Sequence, residues 1–375
     1  MIKVDVSSVS GGNGATDNAT QQSITLTDDD VASLVVSVDN LTVSETGTTS
    51  TFTVKLSSEP TSSVSVTLDR NSSDEFSVSD SLSFSSSDWN TVKTVTVTGV
   101  DDAVDDDNQT STLTLSSSSS DSYYNGLSDN LSVTTTDNDT VGFNLSKGTA
   151  LVAETGTTDS VSVVLTSEPT GDVTLSLSDN DSSEMSYSPT SLVFGSGNWS
   201  VAQWVTLVGK DDNVSDDNQS VQLTWTPSSS DSKYNSSSLA QSLSVTTLDN
   251  DTAGIVLSEA SVTVDERSGS DNFTVRLRSE PTDNVTLSIL VSDSTESSVS
   301  PASLSFGPDN WSEVQTVVVR GVADSFDDGS QTSTVTVFSD NSTSDGKYLL
   351  SALDNATLSV TTLDNDTATV TIDNV

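Results

Sequence analysis

Acidic residues return at fixed places in this chain, once in every unit of about 110 residues. The segment Asp-Asn-Asp-Thr closes each unit, at Asp137–Thr140, Asp249–Thr252 and Asp364–Thr367, and acidic clusters precede it at Asp101-Asp102, Asp211-Asp212 and Asp324. In the first unit the acids gather at Glu45, at Glu75, at Asp101-Asp102 with Asp106, and at Asp137 with Asp139. All stand at the ends of strand-like runs, where the loops of an antiparallel sandwich can meet at one pole. Carboxylates so placed repel one another by roughly 1 to 4 kcal/mol per pair at about 4 Å, depending on the local dielectric. A cation resolves that conflict. Ca²⁺ takes about 6–8 oxygens in flexible geometry, whereas Mg²⁺ demands stricter octahedral order, so these acids suit Ca²⁺. Paired carboxylates also serve hydrolases as acid and base, but an active site is normally unique and these acids recur in every unit. An EF-hand is excluded, because no helix pair flanks the acids and Ala103 breaks the loop pattern. Gly11-Gly12-Asn13-Gly14 partly matches a calcium β-roll repeat, but it stands alone and reads as a turn. The alternative to ligation is a solvated, salt-adapted surface. That reading predicts acids scattered over the strands, whereas many of these keep register in loops.

The remaining composition narrows the partners. With 55 Asp and Glu against 12 Lys and Arg, the net charge is −43, which disfavours nucleic acid and anionic membrane surfaces. The absence of Cys removes disulfides, thiol catalysis and Cys-based zinc sites, and the absence of His removes the commonest general base. No apolar run approaches the roughly 18 residues that span a bilayer. No signal peptide is visible at the N-terminus, so for an exported protein the signal and anchor are expected outside this segment.

The acids need a scaffold, and the alternation supplies it. Thr51-Phe52-Thr53-Val54-Lys55-Leu56, Ser63-Val64-Ser65-Val66-Thr67-Leu68 and Thr94-Val95-Thr96-Val97-Thr98 are period-two strands with one buried face. Val173-Thr174-Leu175-Ser176-Leu177 and Phe273-Thr274-Val275-Arg276-Leu277 repeat the pattern further on. Roughly 35% of residues are Ser or Thr, a composition compatible with disorder, yet the alternation argues for folded strands. Each unit therefore reads as about seven short antiparallel strands in an Ig-like β-sandwich. A period this long means serial domains rather than a solenoid. Glu59-Pro60, Glu168-Pro169 and Glu280-Pro281 keep the same register, as do Trp89, Trp199 and Trp311. The tryptophans read as core or edge packing, with sugar stacking as the alternative. Tyr123-Tyr124, Tyr234 and Tyr348 are expected to anchor a Ser/Asp loop to the sandwich.

The chain divides into residues 1–30, 31–140, 141–252, 253–366 and 367–375. Residues 1–30 align without a gap on 110–139 and read as the last two strands of a preceding repeat. Residues 367–375 resemble the opening strand at 32–40. Two readings stand. One is a window on a longer array; the other is a subunit whose open ends complement each other by strand addition and assemble a filament.

The sequence resembles the Calx-β family at Val43-Ser44-Glu45, at Gly99-Val100-Asp101-Asp102-Ala103-Val104-Asp105-Asp106, and at Asp137-Asn138-Asp139. The resemblance implies tandem Ig-like sandwiches holding Ca²⁺ at the pole where one domain meets the next. It carries the early Glu to Glu45, Glu154 and Glu266, and the paired Asp to Asp101-Asp102, Asp211-Asp212 and Asp324 alone. The following acid maps to Asp106, Asp216 and Asp328, and the closing pair to Asp137 and Asp139, Asp249 and Asp251, Asp364 and Asp366. The mid-domain acid maps to Glu75, Glu184 and Glu296. Where family members often carry a further Glu, this chain has Gln109, Gln219 and Gln331, which implies fewer ions or weaker binding.

Asparagine is also patterned. Of 22 Asn with a residue two places on, 19 are followed there by Ser or Thr. Asn18, Asn40, Asn71, Asn144, Asn180, Asn235, Asn272, Asn284, Asn341 and Asn355 lie in unrelated contexts and read as N-glycosylation acceptors or as turn residues. The function expected is a non-enzymatic extracellular or cell-surface rod, part of a large adhesin, stalk or surface filament stiffened by Ca²⁺. Its expected partners are neighbouring repeats of the same or an identical chain and a surface glycan or cell-surface ligand. The alternatives are a self-assembling filament or sheath subunit and a calcium-sensing or accessory carbohydrate-associated module.

Overall fold

In a computed structural model of the chain, the described residues are 29–371 apart from positions 80, 268, 341 and 350. The alternating runs form strands throughout, and the one helix among the described residues is a single 3₁₀ turn at Ser237–Leu239. The all-β expectation is borne out. Nine strands build the first repeat: β1 (Leu34–Val36), β2 (Asn40–Ser44), β3 (Thr49–Leu56), β4 (Val64–Asp69), β5 (Phe76–Val78), β6 (Leu82–Phe84), β7 (Lys93–Gly99), β8 (Gln109–Ser119) and β9 (Ser128–Thr136). They pair as two sheets, β1-β3-β7-β5 and β2-β9-β8-β4-β6. The same nine-strand order recurs from Phe143–Leu145 to Gln241–Leu248 and from Ile255–Leu257 to Ala356–Leu363.

Nine strands replace the seven expected because two strands each split between the sheets. After Val36 the chain breaks at Ser37–Asp39, leaves β3 and pairs β2 in parallel with β9, Asn40 opposite Ser132. The run Phe76–Phe84 crosses likewise, with β5 on β7 and β6 on β4. One parallel pair therefore interrupts an otherwise antiparallel repeat.

Side-chain period two sets the layers. On β3, Phe52, Val54 and Leu56 are buried, beside Val95 and Val97 of β7 in the same sheet and in one core with Leu113 and Leu115 of β8 from the other. Each such side chain contributes about 1.5–3 kcal/mol on burial. The outward Ser and Thr pair across strands, as Thr110 with Thr134 at 3.1 Å and Thr224 with Ser242 at 2.9 Å, which accounts for a Ser/Thr-rich chain that still folds. Trp89, Trp199 and Trp311 pack half-buried against the three cores, and their carbonyls accept the N–H groups of Leu56, Leu165 and Leu277. Tyr124, Tyr234 and Tyr348 are fully buried, and each hydroxyl bonds the backbone of Ser58, Ser167 or Ser279.

The chain forms two compact units. The first comprises the described residues up to Asp102 together with Asp106–Asn138; the second comprises Ala103–Asp105 and the described residues from Asp139 onward. The glycine-rich turn at 11–14, Asn18 and Asn341 lie outside the described residues, as does most of the segment 1–30 on which strand complementation was read. Residues 367–371, read as the start of a further opening strand, form no strand, having no equivalent of β3 to pair with among the described residues. No described helix is long and apolar enough to cross a membrane.

Candidate metal centre

In the first unit the site forms where strands end. Glu45 follows β2, Glu75 precedes β5, Asp101, Asp102 and Asp106 fill the loop from β7 to β8, and Asp137 follows β9. A close backbone crossing holds the Glu45 segment in place. A Cβ on Gly99 would stand 2.0 Å from the Ser44 carbonyl oxygen, and Gly209 and Gly321 meet Ala153 and Asp265 in the same way, at 2.1 and 2.4 Å. Only glycine lets the strand before the acidic loop pass so near the residue before the glutamate.

The loop then fastens the closing acid. Asp106 and Asp107 donate their N–H groups to Asp137 Oδ2 at 3.0 and 2.9 Å, with Asp107 in the left-handed region at φ 64°. Asp216 and Asp217 donate to Asp249 Oδ2 at 3.1 and 2.8 Å, and Gly329 donates to Asp364 Oδ2 at 2.7 Å. Gln109 donates from Nε2 to the Asp106 carbonyl at 2.6 Å, Gln219 to Asp216 at 2.8 Å and Gln331 to Asp328 at 3.1 Å. A glutamate could not make that bond, because an ionised carboxylate has no donor. These glutamines hold the loop closed.

The middle Asn of each closing motif bridges the acids. The Asn138 N–H donates to Glu45 Oε2 at 3.1 Å and its Nδ2 to Asp101 Oδ1 at 2.8 Å; Asn250 repeats both bonds with Glu154 and Asp211. In the third repeat Ala323 stands where that Asp would be, and Asn365 Nδ2 turns to Glu266 Oε2 at 3.4 Å. Sequence reasoning placed these Asn inside acidic loops but did not assign them this role.

Oxygens of Glu45 and Asp137 come within 4.8 Å of each other in the first unit. In the second unit Glu154, Asp216 and Asp249 converge within the same distance, and so do Glu266, Asp324 and Asp366. Asp101, Asp102, Asp211 and Asp328 are exposed, Asp212, Asp251 and Asp364 are half-buried, and Asp139 is a half-buried residue of the second unit. Glu45, Glu154, Glu184, Glu266 and Glu296 are all buried. Burial pushes the Glu45 carboxyl up to about 7, against the Asn138 N–H, with Asp137, Asp102 and Asp106 adding to the rise. Burial and then Asp216 push Glu184 up to about 7. Glu75, Asp106, Glu154, Asp216, Asp251, Glu266 and Glu296 are raised as well, burial first and neighbouring carboxylates after it.

Several of these oxygens are buried without a hydrogen-bond partner: Glu75 Oε2, Asp106 Oδ1, Glu184 Oε2, Asp216 Oδ1 and Glu296 Oε2. Buried polar atoms are nearly always paired, and a set of all-oxygen, anionic orphans fits a hard cation. The donor set fits calcium in kind and in number. Asp121, Asp231 and Asp345 are also buried acids, but they accept the N–H groups of Thr61, Thr170 and Thr282 at 2.6–2.9 Å and serve the fold. The Asp-x-x-Tyr spacing they share could have revealed them.

Solved structures similar to this chain include the calcium binding domain CBD12 of CALX1.1, at 13% identity, covering 58% of this chain and 98% of that one with a TM-score of 0.29. CBD12 from CALX1.2 matches at 14% identity over 60% of this chain and 100% of that one, TM-score 0.26. Extracellular cadherin domains 1–4 of protocadherin gamma B7 match at 13% identity over 90% of this chain and 76% of that one, TM-score 0.36. No curated protein matches the chain in sequence. The Calx-beta domain model matches residues 27–139, 136–251 and 248–372, and with nearly all of its length inside those three matches the chain belongs to the Calx-beta family.

Proposed function

We propose that this chain is a non-enzymatic, calcium-stiffened segment of an extracellular rod, part of a large adhesin, stalk or surface filament. The buried, unpartnered carboxylate oxygens of Glu75, Asp106, Glu184, Asp216 and Glu296 carry the reading. Desolvating a carboxylate without a partner is costly, and the cost recurs in every repeat. In the first repeat Glu45, Glu75, Asp102, Asp106 and Asp137 would hold the ion, with Glu154, Glu184, Asp212, Asp216, Asp249 and Asp251 in the second. Glu266, Glu296, Asp324, Asp328, Asp364 and Asp366 would do so in the third. Bound Ca²⁺ supplies positive charge that joins loops distant in sequence. The chain's own residues orient those loops: Gly99 by its close crossing, Gln109 by closing the acidic loop, Asn138 by bridging Glu45 and Asp101.

A rod is expected to fill its sites at the millimolar calcium of extracellular fluids, whereas a sensor titrates at roughly 10⁻⁷–10⁻⁵ M. Isothermal titration of the 375-residue chain, with small-angle scattering at each calcium level, tests this. Binding at about 10⁻⁴–10⁻³ M with an elongated profile supports the rod. Micromolar affinity or a compact profile refutes it.

N-glycosylation is a second reading that one observation favours. Asn40, Asn71, Asn144, Asn180, Asn235, Asn272, Asn284 and Asn355 are all exposed. Of these, Asn71 has its amide engaged with Thr112 and Thr114.

A further inference from the structure

The outer face of one sheet in the second repeat departs from its counterparts at three neighbouring positions. In the first repeat Val35 of the edge strand β1 stands opposite Lys55 of β3, and the next outward pair sets Thr53 of β3 opposite Thr94 of β7. The third repeat has Val256 opposite Arg276 and Thr274 opposite Thr316. The second has Asn144 opposite Val164 and Ser162 opposite Trp204. A valine, a base and a threonine are thus replaced together by asparagine, valine and tryptophan.

The exchange leaves an apolar patch open. Of the five tryptophans Trp204 alone is exposed, at 59%, whereas Trp89, Trp199 and Trp311 are half-buried and Trp225 is buried. The central position of this face holds Lys55 or Arg276 in the other two repeats, and a long basic side chain can cover apolar surface with its stem while its charged head stays in water. Val164 is too short to do so. An uncovered tryptophan leaves much of its roughly 150–250 Å² of buriable surface in water, here on a face otherwise made of Ser and Thr.

Asn144 can supply the cover. It opens the acceptor sequence Asn144-Leu145-Ser146 and lies on the edge strand Phe143–Leu145. Ser146 belongs to the fold, since its Oγ accepts the Ser162 N–H at 2.9 Å, as Ser37 accepts that of Thr53 and Ser258 that of Thr274 at the same distance. The informative residue is therefore Asn144 itself. A turn does not account for it, because it is exposed in mid-strand, where asparagine is depleted. Two strand spacings across and two residues along separate it from Trp204, about 12 Å between Cα atoms, a gap that the first sugars of a linked glycan span. The C–H face of a pyranose ring suits the negative face of an indole.

We propose that Asn144 carries an N-linked glycan whose first sugars cross Val164 and stack on Trp204, closing the outer face of the second repeat. The proposal rests on the glycosylation reading given above and adds the surface that receives the sugar. The glycan is then held against the protein rather than free in solvent, and it stabilises the second repeat by covering the indole.

Peptide mass mapping with hydroxyl-radical footprinting reads the contact, on the full chain made in its native source and on its Asn144→Gln, Trp204→Thr and doubly substituted variants. The expected result is a glycan mass on the Asn144 peptide of the parent and several-fold faster oxidation of Trp204 in Asn144→Gln, with Trp199 unchanged. Thermal unfolding should show that Asn144→Gln destabilises the second repeat in the parent but not in the Trp204→Thr background. A glycan on Asn144 with Trp204 oxidised equally fast in parent and variant overturns the contact and leaves glycosylation standing. A bare Asn144 also overturns it, and the masses of the Asn180, Asn272 and Asn284 peptides in the same map then show whether the glycosylation reading falls too.

Discussion

Glu184→Gln keeps the shape of a buried side chain and removes its charge, so it asks whether the orphaned carboxylate is a burden that calcium lifts. Glu184 is 5% exposed, its Oε2 has no hydrogen-bond partner, and burial followed by Asp216, Asp181, Asp212 and Glu154 pushes its carboxyl up from 4.5 to about 7. Ionising it inside the fold therefore costs about 3 kcal/mol more than in the unfolded chain. The sign follows from proton linkage. A carboxyl raised in the fold contributes stability below pH 4.5 that is lost as pH rises through about 7. In calcium-free buffer at pH 7.5 the variant should be more stable by about 3 kcal/mol, a rise of roughly 10 °C or more in the transition of the second repeat. At pH 4.5 the difference should close, because Glu184 is then protonated in the parent as well. In saturating calcium the order should reverse, since the variant has lost a ligand and binding stabilises only the parent site. Thermal unfolding of parent and variant in EGTA and in 5 mM CaCl₂, at both pH values, gives all four numbers. A variant less stable than the parent in EGTA at pH 7.5 would show that Glu184 is not an unpaid charge, and the calcium argument built on it would fall.

Ala323→Asp restores the acid that the third repeat lacks and returns a partner to Asn365, so calcium affinity there should rise several-fold; titration of the variant that equals the parent refutes this. The third site should be the weakest of the three in the parent chain, because Asp328 is exposed where Asp106 and Asp216 are half-buried. Gly209→Ala drives a Cβ to 2.1 Å from the Ala153 carbonyl, so the second repeat should lose about 1–3 kcal/mol and its calcium affinity should fall with it, both read by thermal unfolding with and without calcium. Protein from its native source should weigh more than the 39.0 kDa polypeptide and lose the excess on deglycosylation; an intact mass equal to the bare chain removes the glycan reading.

The period-two alternation determined the fold by itself, because it puts one apolar face on each strand and only a two-layer packing buries all of them. Thr51–Leu56 and Thr94–Thr98 could be read as strands before any partner was known, and they pair as β3 with β7. The recurrence of Glu45, Glu154 and Glu266 likewise marked one acid per repeat, and all three are buried. What stayed hidden depended on partners far along the chain. The parallel pairing of β2 with β9 joins residues about 90 positions apart, and nothing in Asn40–Ser44 distinguishes it from an antiparallel edge. Gln109 looked like a missing carboxylate, and only its bond to the Asp106 carbonyl shows a donor that a glutamate lacks. Asn138 reaches Glu45 across 93 positions. Local periodicity follows from the backbone's own geometry and is written in every strand. Convergence of side chains depends on how the sheets and loops cross, and those crossings exist only once the chain has folded.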